Sequence, residues 1–248
     1  MLILHEIPSR RINFFYILAF ILKNPIVKSV LFYEIFMHKI ALTEPQWWEK
    51  LLHQAIELVN EHAWLNQFAP IGADIFVFLY PIFLVVLYLK GIIKKEKEAK
   101  EGALFIFFSC LFCTLINIGI HRFFYKQRPN AVLYDDTEET ILHQFLPESS
   151  FPSDHAVVSM SFAMATLLRG YKAKNKKIIF AGYVFIVISL VMCLCRIFTV
   201  VHWPSDILWG ILLSLILTIL FSQTFLFSFF KKYLITPCIT LQEKIFKR

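Results

Sequence analysis

The sequence predicts an all-α polytopic membrane protein, a bundle of six transmembrane helices, and three observations carry that prediction. Of the 248 residues, 58% are hydrophobic and only 17% charged, and the mean hydropathy is +0.62; soluble domains rarely need so much apolar material. The charges gather between long apolar runs of bilayer length instead of alternating with apolar positions. Basic clusters recur after every second run, as the positive-inside rule requires of a multi-pass chain.

The first candidate span, Ile12–Phe36, is interrupted by Lys23, Asn24, Pro25 and Lys28. Pro25 allows either a kinked crossing or an element lying in the interface. Five stronger spans follow: Ile71–Leu89, Gly102–Ile120, Ser153–Leu168, Ile178–Cys195 and Ile207–Phe230. The third is the shortest, but a helix from Ser153 to Arg169 still reaches about 25 Å at a rise of about 1.5 Å per residue.

Basic residues lie in the connections at 90–100 and 172–177, at Lys231 and Lys232, and at Lys244, Lys247 and Arg248. Alternation puts them all on one side, the cytoplasmic side, and Arg10 and Arg11 join them when the first segment spans. Both termini are then inside. The chain divides into an N-terminal segment with the first helix (1–64), a catalytic transmembrane domain (65–232) and a cytoplasmic tail (233–248). No small-residue cleavage site follows Arg10 and Arg11, so no cleavable signal peptide is expected.

The net charge of +7 does not indicate nucleic acid, because the basic residues sit at segment ends and form no stripe interleaved with surface aromatics. The five cysteines fall in isolated pairs or alone and read as small apolar packers rather than metal ligands. Trp47, Trp48, Trp64 and Trp203 suit an outer aromatic belt. The acidic run Asp135, Asp136, Glu138, Glu139 in the longer outer loop reads as a solvated turn, with a local cap over the site as the sharper alternative.

Chemically versatile residues concentrate on the outer side. HRFFYKQRP (121–129) closes one span, SFPSDHA (150–156) opens the next, and RIFTVVHWPSD (196–206) joins the last two. Three such clusters on one face mark a shared site. Arg128 and Arg196 are permanent, planar donors suited to phosphate oxygens. Ser153 begins a helix, where its hydroxyl and free backbone N–H groups can hold an anion. His155 and His202 supply the nucleophilic and proton-transfer roles of phosphoester hydrolysis, and Asp206, four residues beyond His202, can fix its tautomer. No metal-ligand cluster accompanies them, so a metal-free route through phosphohistidine is the economical one, with no cofactor. Asp74 and Asn117 read first as polar contacts between helices.

These blocks resemble the motifs of the type 2 phosphatidic acid phosphatase superfamily, Lys-x6-Arg-Pro, Pro-Ser-Gly-His and Ser-Arg-x5-His-x3-Asp. Here they stand as Arg128-Pro129, Pro152-Ser153-Asp154-His155, and Cys195-Arg196 with His202 and Asp206 at matching spacing. The resemblance implies His202 as nucleophile with Asp206 as its partner, His155 as general acid and then base, and Arg128, Ser153 and Arg196 as phosphate holders. It also implies a six-helix transmembrane fold with an outward-facing site. Three positions depart from the pattern: His121 replaces Lys, Asp154 replaces Gly, and Cys195 replaces Ser. The missing cation is then His121 itself, Arg122 or Lys126, or the site does without it. Asp154 can hold Arg128 or His121.

Ser-Phe-Pro-Ser-Asp-His-Ala, Asn117 ahead of Phe-Phe-Tyr-x-x-Arg-Pro, and the stretch Trp64-Leu65-Asn66 through Ala73-Asp74 resemble the bacitracin-resistance type of undecaprenyl diphosphate phosphatase. That resemblance implies release of the terminal phosphate of undecaprenyl diphosphate at the outer leaflet of a bacterial cytoplasmic membrane, recycling the carrier used for peptidoglycan. The expected partners are membrane lipids and a phosphorylated lipid substrate, with phosphatidylglycerophosphate, phosphatidate and lipid A phosphate as rival substrates. A transporter would place its polar residues near mid-membrane, and a non-catalytic scaffold would not need His155, Arg196 and His202 together.

Overall fold

The computed structural model of the protein describes residues 40–134 and 149–246; the candidate span Ile12–Phe36 and the acidic run Asp135–Glu139 lie outside them. The described residues from 41 onward form one compact unit. Its helices are α1 (Gln46–Glu61), α2 (Ala63–Asp74), α3 (Leu79–Ile93), α4 (Lys97–Phe123), the short α5 (Pro129–Leu133), α6 (Asp154–Lys172), α7 (Lys176–Phe198), α8 (Pro204–Ser222), α9 (Thr224–Phe230) and α10 (Thr236–Phe246).

Among the described residues, four helical stretches are long and apolar enough to cross a membrane: Ala63–Ile93, Lys97–Phe123, Lys176–Phe198 and Pro204–Ser222. The first joins α2 and α3 through a 3-10 turn at Ile75–Phe78. The expected third span forms α6, which has the length of a span but a more polar composition. The reason is its place in the bundle. α6 packs against α4, α7 and α8, so its surface meets other helices rather than lipid. Small and hydroxylated side chains then serve better than bulky ones. Ser159, Ser161 and Thr166 are fully buried, and the Ser159 and Ser189 hydroxyls bond at 2.6 Å between α6 and α7. An aromatic cluster fills the same seam, with Phe162 of α6 centred 4.7 Å from Tyr80 and 5.0 Å from Phe185, separations typical of favourable ring pairs.

Three boundaries differ from the sequence expectation. The last span ends at Ser222, not Phe230, because Gln223 is extended and the chain turns back. Phe227 then packs on Phe105 and Phe230 on Phe221, at 5.4 and 4.7 Å, and these ring contacts hold α9 against the bundle. The segment beyond 232 is held on the bundle: α10 buries Ile239, the turn before it buries Ile235, and Glu243 pairs with Lys100 at 2.6 Å. Nor does the first part of the unit end at residue 64. α1 packs on α7 and α8 and buries Leu52 completely, so residues 41–64 belong with the catalytic helices.

Candidate active site

The end of α4, the start of α6, the end of α7, the start of α8 and the end of α2 meet at one end of the bundle. The basic clusters at Lys94–Lys97 and Lys172–Lys177 lie at the other, where α4 and α7 begin and α6 ends. Two close approaches let the helices converge. A Cβ on Gly72 would meet Cys195 Sγ at 2.7 Å, so glycine lets α2 lie on α7. A Cβ on Gly210 would meet Ala156 Cβ at 2.8 Å and the Ser153 carbonyl at 3.0 Å, so glycine brings α8 onto the first turn of α6.

His202 stands at the centre and is 2% exposed. Its Nδ1 lies 3.0 Å from the Ser150 carbonyl. A carbonyl only accepts, so Nδ1 carries the proton and Nε2 keeps its lone pair. Nε2 faces two guanidinium groups, Arg196 Nη2 at 3.4 Å and Arg128 Nη1 at 3.5 Å. Burial pushes the imidazole pKa down to about 4, which keeps the ring neutral and nucleophilic near pH 7. The turn that presents it is tight: Val200 has φ 57°, a left-handed conformation that β-branched residues rarely adopt. The turn aims the Val201 carbonyl at Arg128 Nη1, 3.1 Å away.

Asp206 is completely buried. Its Oδ2 accepts from the Ser150 hydroxyl at 2.5 Å and from the Trp203 N–H at 3.0 Å, and its Oδ1 accepts from Lys126 Nζ at 2.7 Å. His202 Nδ1 is 3.8 Å from Oδ2, beyond hydrogen-bond range. Asp206 therefore reaches the imidazole through Ser150 and through space. Trp203, expected in the aromatic belt, is 3% exposed; its indole N–H donates to the Gln127 carbonyl at 2.8 Å, tying the start of α8 to the Arg128 loop.

Arg196 donates through Nη1 to Asp74 Oδ1 at 2.8 Å, while its buried Nε finds no partner among the described residues. Nε and Nη2 form one edge of the guanidinium fork, and that edge is presented beside His202 Nε2, suited to two oxygens of one phosphate. The Ser153 hydroxyl is also buried without a partner among the described residues, although its backbone N–H is held by the Asp206 carbonyl at 3.2 Å. His155 Nε2 lies 3.1 Å from the same Asp74 Oδ1.

The auxiliary residues separate clearly. His121 Nε2 pairs with Asp154 Oδ1 at 3.1 Å, and the Asn117 amide donates to that oxygen at 2.6 Å. Asp154 thus faces His121, and Asn117 joins the two at the start of α6. Lys126 is engaged with Asp206, Ser205 and Glu44, so its ammonium is turned away from the phosphate-binding edge. Arg122 is exposed at the end of α4. Sequence reasoning missed Ser150, Ser205 and Glu44; Asp74, read as a polar contact between helices, makes one from α2 to Arg196 of α7 and His155 of α6. Ser150 had a signal, since it directly precedes Phe151-Pro152-Ser153. Glu44 had none.

Residues 102–230 match the PAP2 superfamily model, the stretch that runs through α4, α6, α7 and α8 and supplies every motif residue above. The chain belongs to the PAP2 superfamily. It is accordingly a membrane-embedded PAP2 lipid phosphatase. The chain is 28% identical over 156 residues to the "Putative undecaprenyl-diphosphatase YbjG" of Escherichia coli (strain K12), covering 62% of this chain and 70% of that one. To the undecaprenyl-diphosphatase BcrC of Bacillus subtilis (strain 168) it is 25% identical over 171 residues, 68% and 75% of the two chains. Among solved structures, a transmembrane PAP2-type phosphatidylglycerolphosphate phosphatase from Bacillus subtilis matches at 20% identity and a TM-score of 0.43, over 89% of this chain and 94% of that one.

Proposed function

We propose that this PAP2 phosphatase hydrolyses the terminal phosphate of undecaprenyl diphosphate, giving undecaprenyl phosphate and inorganic phosphate through a phosphohistidine on His202. The observation that carries the reaction is the lone pair of His202 Nε2 set between Arg196 and Arg128 at 3.4 and 3.5 Å. Nitrogen attack on a phosphorus that bears charged oxygens is opposed by repulsion, and two guanidinium groups beside the attacking atom offset it.

In the first step Nε2 bonds to the terminal phosphorus while the bridging P–O bond breaks. His155 protonates the departing oxygen of undecaprenyl phosphate. The Nδ1–H bond to the Ser150 carbonyl holds the ring as it becomes positive. In the second step His155 takes a proton from water, the water oxygen attacks phosphorus, and the N–P bond breaks to release phosphate. Arg128, Arg196 and Ser153 hold the phosphoryl oxygens throughout.

The names of the two relatives support the prenyl diphosphate over a glycerolipid. The basic clusters at the opposite end of the bundle support a site facing the outside of a bacterial cytoplasmic membrane.

The test is phosphate release by detergent-purified protein, with undecaprenyl diphosphate, phosphatidylglycerophosphate and phosphatidate compared, with and without EDTA. Preference for the prenyl diphosphate, insensitive to chelator and lost in His202→Ala, is the expected result. Preference for a glycerolipid phosphate overturns the substrate and leaves the histidine chemistry standing.

A further inference from the structure

We propose that Lys126 and Glu44 are positioning residues for Asp206, a buried pair that orients the carboxylate behind His202 and leaves its negative charge uncancelled there. The inference rests on the reading of His202 as nucleophile.

Lys126 is 4% exposed. An ammonium so deep is stable only when its donors are all met. Its three N–H groups have three acceptors: Glu44 Oε2, the Ser205 hydroxyl at 2.6 Å and Asp206 Oδ1 at 2.7 Å. The Ser205 hydroxyl donates in turn to Glu44 Oε2 at 3.0 Å. The rings of Trp203 and Phe151 lie 5.8 and 5.9 Å from Nζ, within cation–π range. No donor of Lys126 remains for a substrate phosphate.

The consequence falls on Asp206. Lys126 anchors Oδ1, and this turns Oδ2 toward Ser150 and His202. A lysine and one carboxylate would cancel. The second carboxylate, Glu44, has a side chain only 3% exposed; burial pushes its pKa up while Lys126 pulls it down, and in its ionised form it leaves the trio with one net negative charge. That charge lies on the Nδ1 side of His202, opposite the Nε2 that bonds phosphorus, so it stabilises the ring as it turns cationic. Glu44 lies ahead of residues 102–230, the part matched by the PAP2 model. The loop bearing it also walls an apolar cavity of about 490 Å³, and Leu42 just before it is fastened by its N–H to the Tyr125 carbonyl at 2.8 Å.

The experiment compares kcat and KM of wild type, Lys126→Met and Glu44→Gln on undecaprenyl diphosphate, phosphatidylglycerophosphate and phosphatidate, with thermal unfolding of each protein. Support for an oriented group typically matters by about 10- to 100-fold, so Lys126→Met is expected to lower kcat by that factor with KM changed less than about twofold. Glu44→Gln keeps shape and hydrogen bonding but loses the charge, and is expected to lower kcat about 3- to 10-fold at unchanged Tm. A raised KM at unchanged kcat in Lys126→Met makes Lys126 a phosphate ligand and overturns the inference. So does wild-type kcat in Glu44→Gln, which decides alone should Lys126→Met fail to fold. Wild-type protein inactive on all three lipids overturns the catalytic reading and this inference with it.

Discussion

Replacing Asp74 with alanine separates catalytic support from fold stability. One oxygen of Asp74 accepts from Arg196 Nη1 at 2.8 Å and lies 3.1 Å from His155 Nε2. It therefore steadies the proposed phosphate-binding group and the proposed general acid together. A hydrogen bond to a charged group is worth about 1.5–3 kcal/mol, and the 66% exposure of the Asp74 side chain argues for the lower part of that range. At about 1.4 kcal/mol per tenfold, loss of the anchor lowers kcat/KM by about 10- to 30-fold. The effect on stability is smaller, because exposed pairs contribute about 0.2–1 kcal/mol, or a Tm change under about 4 °C. The assay is phosphate release over a substrate range, with a thermal unfolding curve for each protein. Asp74→Asn, which retains an acceptor but not the charge, falls between the two. A kcat/KM within about threefold of wild type refutes the anchoring role. A rise in activity shows instead that the carboxylate competes with phosphate for Arg196.

Ser153→Ala removes a buried hydroxyl with no partner among the described residues; activity is expected to fall about 5- to 30-fold while stability holds or rises by up to about 1 kcal/mol, since an unmet buried donor is costly. Gly210→Ala forces α8 from the first turn of α6, where a Cβ would meet Ala156 Cβ at 2.8 Å; overpacking of about 1–3 kcal/mol should appear as a lower Tm with reduced kcat. The His202 ring, with a pKa near 4, is expected to stay neutral at pH 5.5 by histidine ring NMR. Because the unfolded chain takes up that proton near pH 6.5, the contribution of His202 to stability is present above about 6.5 and is lost as pH falls toward 4. A ring that titrates near 6.5 in the folded protein refutes its burial.

The parts of the site legible in the sequence were those fixed by short spacing. Arg196 lies in the last turn of α7, His202 in the short connection after it and Asp206 in the first turn of α8, and Ser153, Asp154 and His155 begin a single helix. Periodicity and charge located the apolar spans for the same reason: each is a local property of one stretch of chain. What was not legible depends on contacts between distant stretches. Asp74 reaches Arg196 across 122 positions and Ser205 reaches Glu44 across 161. A lone carboxylate on an apolar helix carries no mark of which neighbour it will meet. The position of α6 was hidden similarly, because polarity that weakens it as a lipid-facing span suits a helix enclosed by others.

The departures from the family motif become intelligible as a division of charge. Among the described residues, three aspartates around His202 each have a basic partner: Asp74 with Arg196, Asp154 with His121, and Asp206 with the Lys126 it shares with Glu44. His121 and Lys126, two of the substitutes for the missing motif lysine, are thereby committed to carboxylates. In the proposed reaction the phosphate falls to the guanidinium edge of Arg196, Nε and Nη2, that Asp74 does not occupy. Asp154 in place of glycine is then no obstacle to anion binding, because its Oδ1 is held by His121 and Asn117. Removing that pairing while keeping the carboxylate, as in His121→Ala, would leave Asp154 to turn on Arg128 or repel the substrate. The two substituted motif positions therefore act as one unit, and the double variant His121→Ala with Asp154→Gly should recover activity that His121→Ala alone loses.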